Sequence, residues 1–246
     1  MNNYLDEKVW NLAKNNTFLG LKDYFKDEKC IIFGCGPSLN DYEPSFLEKK
    51  FPDYYFLCIK QAFYKFKNRC NIHFINDNNM IRYRYRNKQM VITSSQHPEF
   101  PFRGLLSKDS SFHFVVDPTK GYLNTITKTN NFSLNEVTPK FISIWGPGIM
   151  LESVLPFVVF SGFREVKMLG WDYTNSKQTI LPHYYDHSLR NNFINRAEHE
   201  PSYLMPDLVE SSDFLYDYLK SKQINVEILT DKSFVSKKFK RTILTE

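Results

Sequence analysis

The sequence predicts an α/β fold whose strands form a mostly parallel sheet. The chain has 246 residues, the length of one α/β domain or of one domain with a small lid. Apolar residues make up 42% of it, which is enough for a buried core and excludes a wholly disordered chain. Short apolar runs alternate with helical or mixed segments, as expected when helices cover both faces of a parallel sheet.

The strands are predicted from short runs of consecutive apolar residues. A strand of a covered parallel sheet is buried on both faces, so its sequence does not alternate between apolar and polar positions. Such runs cover residues 30–34, 55–59, 72–76, 90–94, 112–116, 166–170 and 226–230.

Three segments carry helical patterns. Residues 4–26 have apolar positions at helical spacing and predict one or two helices before the first strand. Residues 147–163 predict a helix that ends at Gly162, and residues 211–223 predict another that begins at a Ser or Asp. Residues 173–210 are polar, aromatic and weakly periodic, which indicates a lid or a flexible segment.

The pattern divides the chain into an N-terminal helical extension (1–28), a main domain (29–235) and a basic tail (236–246). The net charge is +5, from 32 basic and 27 acidic residues, so the surface is mixed. No nucleic-acid motif accompanies the tail, which argues against nucleic acid as a partner. Two interpretations of the tail stay open: a frayed, solvated segment, or a weak contact with anionic membrane through Lys237, Lys238, Lys240 and Arg241.

The expected compartment is a reducing cytoplasm. The N-terminal residues include acidic side chains and no apolar core segment, so they are not a signal peptide. The most apolar run, residues 149–160, is too short to span a bilayer and contains Glu152 and Pro156. The four cysteines have no zinc-like spacing. We therefore expect a cytoplasmic protein, held at the inner membrane if the basic tail contacts lipid.

The first candidate motif is a turn rich in glycine directly after the first strand. Backbone amides at the carboxyl end of such a strand are expected to point outward, at the edge where nucleotides and phosphates bind in open α/β sheets. The turn matches neither the dinucleotide fingerprint nor the P-loop, and a simple tight turn is the alternative. Its residues are Gly34, Cys35, Gly36, Pro37 and Ser38.

The second motif follows the strand at 166–170. Asp172 comes two residues after Gly170, where a carboxylate can accept hydrogen bonds from a ribose or a sugar. The alternative is a capping Asp that orders the next loop.

The third motif is HYYDHS at residues 183–188. His183 and His187 are four residues apart, but no intervening Glu and no third ligand accompany them, which argues against a zinc site. A histidine that acts as general base beside the hydroxyls of Tyr184 and Tyr185 fits these residue types better.

The motifs occur in one order along residues 29–235 and resemble the bacterial sialyltransferases of glycosyltransferase family 42, the Campylobacter and Haemophilus lipooligosaccharide type. The GxGPSL turn also occurs in the wider domain-of-unknown-function 115 group, which includes archaeal pterin diphosphokinases and flagellin-modifying proteins. The matching residues are Gly34, Gly36, Pro37, Ser38 and Leu39, KQAFY at 60–64, Asn76, GPGIMLE at 146–152, Gly170, Asp172, His183, Tyr184, His187 and Ser188.

The resemblance implies a single modified Rossmann-like domain with a flexible lid over the site. It implies a CMP-linked sialic acid or similar sugar as donor, a cell-surface glycan as acceptor, no cofactor, no metal, and a homo-oligomer. His187 would be the general base, and Tyr184 would touch the donor phosphate, with Tyr185 nearby. The residues that would hold the donor are the turn at 34–38, Lys60, Gln61, Asn76, Gly148, Asp172 and Tyr173.

The sequence also departs from the family pattern. Cys35 and Lys60 stand where the family has asparagine, and Thr174 stands where it has tyrosine. A lysine at the second position would bind phosphate as a point charge. Two alternatives therefore stay open: a phosphoryl or pyrophosphoryl transferase that uses ATP and Mg²⁺, and a non-catalytic nucleotide-binding component of envelope glycan assembly.

Overall fold

The computed structural model describes residues 7–15, 17–76, 83–85, 89–94, 111–116, 149–172 and 204–245. Within them the chain forms one sheet of eight strands. The strands are β1 (Lys29–Phe33), β2 (Tyr55–Ile59), β3 (Cys70–Asn76), β4 (Gln89–Ser94), β5 (Ser111–Val116), β6 (Glu165–Leu169), β7 (Asn225–Ile228) and β8 (Lys240–Arg241). All seven predicted strands are confirmed, and β8 is additional.

The sheet has the order β5-β4-β3-β2-β1-β6-β7-β8, and every neighbouring pair is parallel. The chain moves outward from β1 to β5 on one side and then returns to the other side of β1 with β6. The α/β fold with a parallel sheet, predicted from the apolar runs, is confirmed, and so is its Rossmann-like character, which the family resemblance implied.

The described helices are α1 (Glu7–Lys14), α2 (Pro44–Lys50), α3 (Leu155–Ser161) and α4 (Leu204–Ser221). Short 3-10 helices cover Phe18–Leu21, Pro37–Asn40 and Lys60–Tyr64, and a π-helical turn, Met150–Val154, leads into α3. The α3 helix ends at Gly162, as predicted. Gly162 has a φ of +91°, and glycine adopts this left-handed conformation without steric cost.

The α4 helix begins earlier than the sequence predicts. The expected start lies near residue 211, but the helix begins at Leu204; the lid itself stays a prediction. The misleading signal is Ser211 and Ser212, because serine usually marks the start of a helix. Here the hydroxyl of Ser212 donates to the carbonyl of Val209 at 2.5 Å, which satisfies a serine inside a helix.

Two apolar layers cover the faces of the sheet. On one face, strand residues such as Ile32, Leu57 and Phe74 pack with α1, α3 and α4. On the other, Phe33, Cys58 and their neighbours pack with α2 and the 3-10 helix at 60–64. The strands are therefore buried on both sides, which explains their continuous apolar sequences.

The expectation of a frayed, solvated C-terminal tail is wrong. Phe239 is 2% exposed and packs on Trp171 with 5.9 Å between ring centroids. Arg241 donates to the carbonyls of Phe239 and Val235, both at 2.8 Å. Burial of Phe239 and pairing of β8 with β7 hold this segment against the sheet.

The C-terminal cations also have partners within the fold. Lys238 forms an ion pair with Asp217 and Lys240 with Glu227, both at 2.7 Å. The membrane contact stays a prediction for this surface. Among the described helices, none has the length and apolar character needed to cross a bilayer.

Candidate functional site

The strand order reverses between β1 and β6. The chain leaves β1 toward β2 on one side and leaves β6 toward β7 on the other. Connections that diverge in this way leave a crevice outside the carboxyl ends of the two strands, which is where open α/β sheets bind ligands. The turn at 34–38 follows β1 and the segment at 170–172 follows β6, so both sequence motifs lie where this topology is expected to form a crevice.

The glycines of the two segments allow close contact between two backbones. The amide of Gly34 donates to the carbonyl of Leu169, and the amide of Gly36 donates to the carbonyl of Gly170, both at 2.8 Å. A Cβ atom on Gly34 would lie 2.3 Å from the Gly170 oxygen. Gly170 itself has a φ of +78°, so glycine is required on both sides of the contact.

Ser38 and Asp172 close the contact with their side chains. The amide of Ser38 donates to Oδ2 of Asp172 at 2.8 Å, and its hydroxyl donates to Oδ1 at 2.7 Å. The same hydroxyl accepts from the amide of Gly170 at 3.0 Å. Asp172 is 3% exposed; burial raises the pKa of its carboxyl, and the hydrogen bonds from Ser38 oppose that rise. We call this set of contacts the Ser38–Asp172 clamp.

The clamp corrects one expectation about the first motif. The amides of Gly34, Gly36 and Ser38 donate to Leu169, Gly170 and Asp172, so they do not point outward at a ligand. The carboxylate of Asp172 accepts from the amide and hydroxyl of Ser38 in the 3-10 helix Pro37–Asn40. The loop after Asp172, which the capping alternative concerned, lies outside the described residues. The turn shapes the crevice through its position, and the half-buried Cys35 and Pro37 lie between the bonded amides.

The end of β2 brings the KQAFY segment to the same turn. The thiol of Cys35 donates to the carbonyl of Ile59 at 3.3 Å and approaches Oε1 of Gln61 at 3.9 Å. Burial raises the pKa of this thiol, while the backbone of Ala62 and the charge of Lys60 act in the opposite direction. The structure thus places Cys35 against Gln61 and the backbone beside Lys60; the role of these residues in donor binding stays a prediction.

Lys60 has an unusual backbone conformation. Its φ is +46°, in the left-handed region that side chains with a Cβ rarely adopt outside special sites. It is the first residue of the 3-10 helix Lys60–Tyr64 and is half-buried. Its ammonium forms no salt bridge and no hydrogen bond with any residue that the structure describes.

His73 is a site residue that the sequence analysis missed. It is fully buried, with Nε2 2.9 Å from the carbonyl oxygen of Lys60 and Nδ1 2.7 Å from the hydroxyl of Tyr85. Because a carbonyl only accepts, Nε2 carries the proton and Nδ1 accepts from Tyr85. Burial lowers the pKa of His73 to about 3, so the ring is neutral. A lone histidine inside the apolar run IHFIN was the available signal.

Several predicted site residues lie outside the described residues: Gly148, Tyr173, His183, Tyr184, Tyr185 and His187. Asn76 ends β3, at the sheet edge that also carries the ends of β1, β2 and β6. Where the structure describes the chain, it contains no group of three or more His, Cys, Asp or Glu that could hold a metal ion.

A comparison with solved structures finds a similar fold in a known protein. The chain is similar to the MAf glycosyltransferase from Magnetospirillum magneticum AMB-1, with a TM-score of 0.50 and 11% sequence identity. The match covers 96% of this chain and 38% of that protein, so this chain spans well under half of its length. At this identity the likeness shows the fold. No family model and no curated protein sequence matches the chain.

Proposed function

We propose that the protein is a metal-independent glycosyltransferase. It moves a sialic acid or a similar sugar from a CMP-linked donor to a cell-surface glycan such as lipooligosaccharide or capsule. The observation that carries the proposal is the Ser38–Asp172 clamp, which joins the GxGPSL turn to the GxD segment at the reversal of strand order. The fold shared with a protein described as a glycosyltransferase supports the broad class.

In this proposal the cytidine nucleotide lies in the crevice outside β1 and β6. Lys60 supplies positive charge to the donor phosphate, in the role that a metal ion has in other transferases. The acceptor hydroxyl attacks the anomeric carbon as the bond to the CMP phosphate breaks. His187 takes the hydroxyl proton, and Tyr184 and Tyr185 stabilise the departing phosphate.

A second candidate function follows from Lys60. A lysine without an ion pair among the described residues, at a crevice where the resembling family has asparagine, also suits a phosphoryl or pyrophosphoryl transferase. Such an enzyme would need ATP and Mg²⁺, whereas the glycosyltransferase would respond to CMP without metal. The metal requirement therefore separates the two functions.

The test begins with calorimetric titration of CMP, CDP, UDP and ATP, each with and without Mg²⁺. A ligand that binds only the native state raises its stability by about 2.7 kcal/mol at a hundredfold excess over Kd, so thermal unfolding gives an independent readout. We expect a response to CMP without metal. A response only to ATP with Mg²⁺ would move the protein to the second candidate.

Turnover of CMP-linked sugars then tests catalysis. His187→Ala should retain CMP binding and lose transfer by about 10²–10⁴-fold, the usual contribution of a positioned acid–base group. His199→Ala, in the same polar stretch but outside the HYYDHS segment, is the matched control and should keep its activity. Full transfer activity in His187→Ala would refute the proposed mechanism, and CMP binding without any turnover would indicate a non-catalytic binding component.

A further inference from the structure

We propose that His73 is a positioning residue for phosphate recognition: it fixes the backbone of Lys60 so that the lysine ammonium lies beside Cys35 and binds the phosphate of the donor. The identity of the donor rests on the proposed glycosyltransferase function. The positioning itself rests on the contacts among Lys60, His73 and Tyr85.

The first step concerns the backbone of Lys60. Its φ of +46° places a side chain in a region where Cβ crowds the following carbonyl, so surrounding contacts must hold it there. The carbonyl of the same residue accepts a hydrogen bond from Nε2 of His73 at 2.9 Å. His73 therefore contacts the one residue in this segment whose conformation needs support.

The second step concerns the rigidity of His73. Its ring is fully buried, stacks on Phe63 at 4.6 Å between centroids and meets the edge of Tyr83 at 4.4 Å. The hydroxyl of Tyr85 donates to Nδ1 at 2.7 Å, which fixes the tautomer with its proton on Nε2. Phe63 belongs to the same 3-10 helix as Lys60, so His73 holds that helix through both a hydrogen bond and a ring contact.

The third step concerns what Lys60 binds. Five other lysines have acidic partners among the described residues, whereas others, such as Lys67, do not: Lys29 and Lys167 pair with Glu165, Lys232 with Asp41, Lys238 with Asp217, and Lys240 with Glu227. Lys60 has no such partner within that part of the chain, yet it is half-buried at the crevice. The thiol of Cys35 donates to the carbonyl of Ile59, the residue before Lys60, at 3.3 Å, which places the backbone of Lys60 beside the turn that follows β1. An anion is the ligand this position suits, and the phosphate of a nucleotide donor supplies one.

The experiment compares the affinities of CMP and cytidine, which differ by the phosphate. Lys60→Met should weaken CMP binding about tenfold, the effect expected for loss of one charge-assisted hydrogen bond, and should leave cytidine binding unchanged. His73→Phe should also weaken CMP binding selectively. If His73 acts through Lys60, the double variant should bind CMP no more weakly than Lys60→Met alone.

Three further variants separate positioning from a general loss of structure. His73→Gln retains one donor and one acceptor and should recover most of the CMP affinity. Tyr85→Phe keeps the imidazole but removes the hydroxyl that fixes its tautomer, and should lower the ratio of CMP to cytidine affinity. Lys67→Met, which removes a nearby half-buried lysine, is the matched control and should change neither affinity. Equal weakening of CMP and cytidine by His73→Phe, or multiplicative losses in the double variant, would overturn the inference.

Titration with pyrophosphate and ATP distinguishes this inference from the proposed function. The wild type could fail to bind CMP but bind pyrophosphate or ATP, with affinity that is lost in Lys60→Met and in His73→Phe. In that case the proposed donor class is wrong and the positioning role stands. If CMP-linked sugars are turned over but Lys60→Met and His73→Phe bind CMP as the wild type does, the positioning role is wrong and the function stands. A wild-type protein that binds none of these ligands would overturn both.

Discussion

The hydroxyl and amide of Ser38 donate to the two carboxylate oxygens of Asp172, at 2.7 and 2.8 Å, across a separation of 134 residues in the chain. This contact joins the segments that follow β1 and β6, the strands between which the order reverses. Both side chains are buried, so their polar atoms depend on each other for hydrogen bonds. The walls of the crevice are thus held together by the motif residues themselves.

The Ser38–Asp172 clamp predicts that removal of the Ser38 hydroxyl lowers the stability of the fold. Ser38→Ala removes the donor to Asp172 and the acceptor for the amide of Gly170. Leaving buried polar groups without partners costs about 1–3 kcal/mol each, so we expect the free energy of unfolding to fall by at least that amount in urea titration. Ser45→Ala, at an exposed position of α2, is the control and should change it by less than about 0.5 kcal/mol. An unchanged midpoint for Ser38→Ala would show that the clamp does not stabilise the fold.

Alanine substitutions at Gly34 and Gly20, the two described glycines with the least space for a Cβ atom, should differ in their effect on stability. A Cβ on Gly34 would meet the carbonyl oxygen of Gly170 at 2.3 Å, and backbone on both sides prevents relief. A Cβ on Gly20 would meet Cδ2 of Leu12 at 2.2 Å, which is the end of a side chain that can rotate away. We expect Gly34→Ala to cost about 1–3 kcal/mol through overpacking and to lower Tm clearly more than Gly20→Ala. Equal shifts in Tm would show that the contact at Gly34 relaxes.

The sequence was sufficient for the strands and for one helix end. Residues 55–59 and their six counterparts are apolar at consecutive positions because both faces of a covered parallel sheet are buried. Gly162 ends its helix because its left-handed φ suits glycine. Both signals depend on residues that are close in the chain, so they can be interpreted without knowledge of distant contacts.

The sequence was insufficient where distant contacts decide the outcome. Lys240 and Arg241 have the composition of a solvated tail, but the burial of Phe239 and the pairing with β7 make them a strand. The glycines after β1 suggested a ligand, but the close neighbour is the backbone of Gly170. His73 gave only a weak signal, because its role depends on Lys60 and Tyr85, whose approach is set by the fold.

A row of alternating basic and acidic side chains crosses four strands, and we expect Glu227 in this row to stabilise the fold. Lys29 pairs with Glu165 at 3.3 Å, Lys167 with both Glu165 and Glu227, and Lys240 with Glu227. The side chains of Lys167 and Glu227 are only 15% and 14% exposed. We expect Glu227→Gln to lower the free energy of unfolding by about 1–3 kcal/mol, because it removes charged hydrogen bonds to a largely buried cation.

The comparison for this prediction is Lys240→Met. Lys240 is 74% exposed, so solvent screens its ion pair, and we expect Lys240→Met to lower the free energy of unfolding much less than Glu227→Gln. Burial acts to raise the pKa of Glu227, but the lysines and Thr242 outweigh it and lower the pKa to about 2 from an ordinary value of 4.5. Its contribution is therefore complete above pH 4.5 and is lost as the pH falls toward 2. Urea unfolding at pH 7 and pH 3 measures both effects, and a pH-independent difference between Glu227→Gln and the wild type would contradict this account.

The buried His73 predicts a distinct pH dependence of stability. Burial lowers the pKa of this imidazole to about 3, from about 6.5 for an exposed histidine. Between these values the unfolded chain binds a proton that the folded chain excludes, so unfolding takes up a proton and stability rises with pH. This contribution is complete above pH 6.5 and is lost as the pH falls toward 3, with a slope of about 1.4 kcal/mol per pH unit.

The measurement is urea unfolding of the wild type and His73→Gln at pH values from 7.5 to 4.5. The variant should be less stable than the wild type at pH 7.5, because it loses the buried imidazole. Because glutamine does not titrate, the difference between their free energies of unfolding should narrow as the pH falls. Parallel curves of unfolding free energy against pH for His73→Gln and the wild type would contradict this account, because they would mean that His73 has the same pKa in the folded and unfolded states. The full burial of His73 and its hydrogen bonds to Lys60 and Tyr85 argue against an equal pKa.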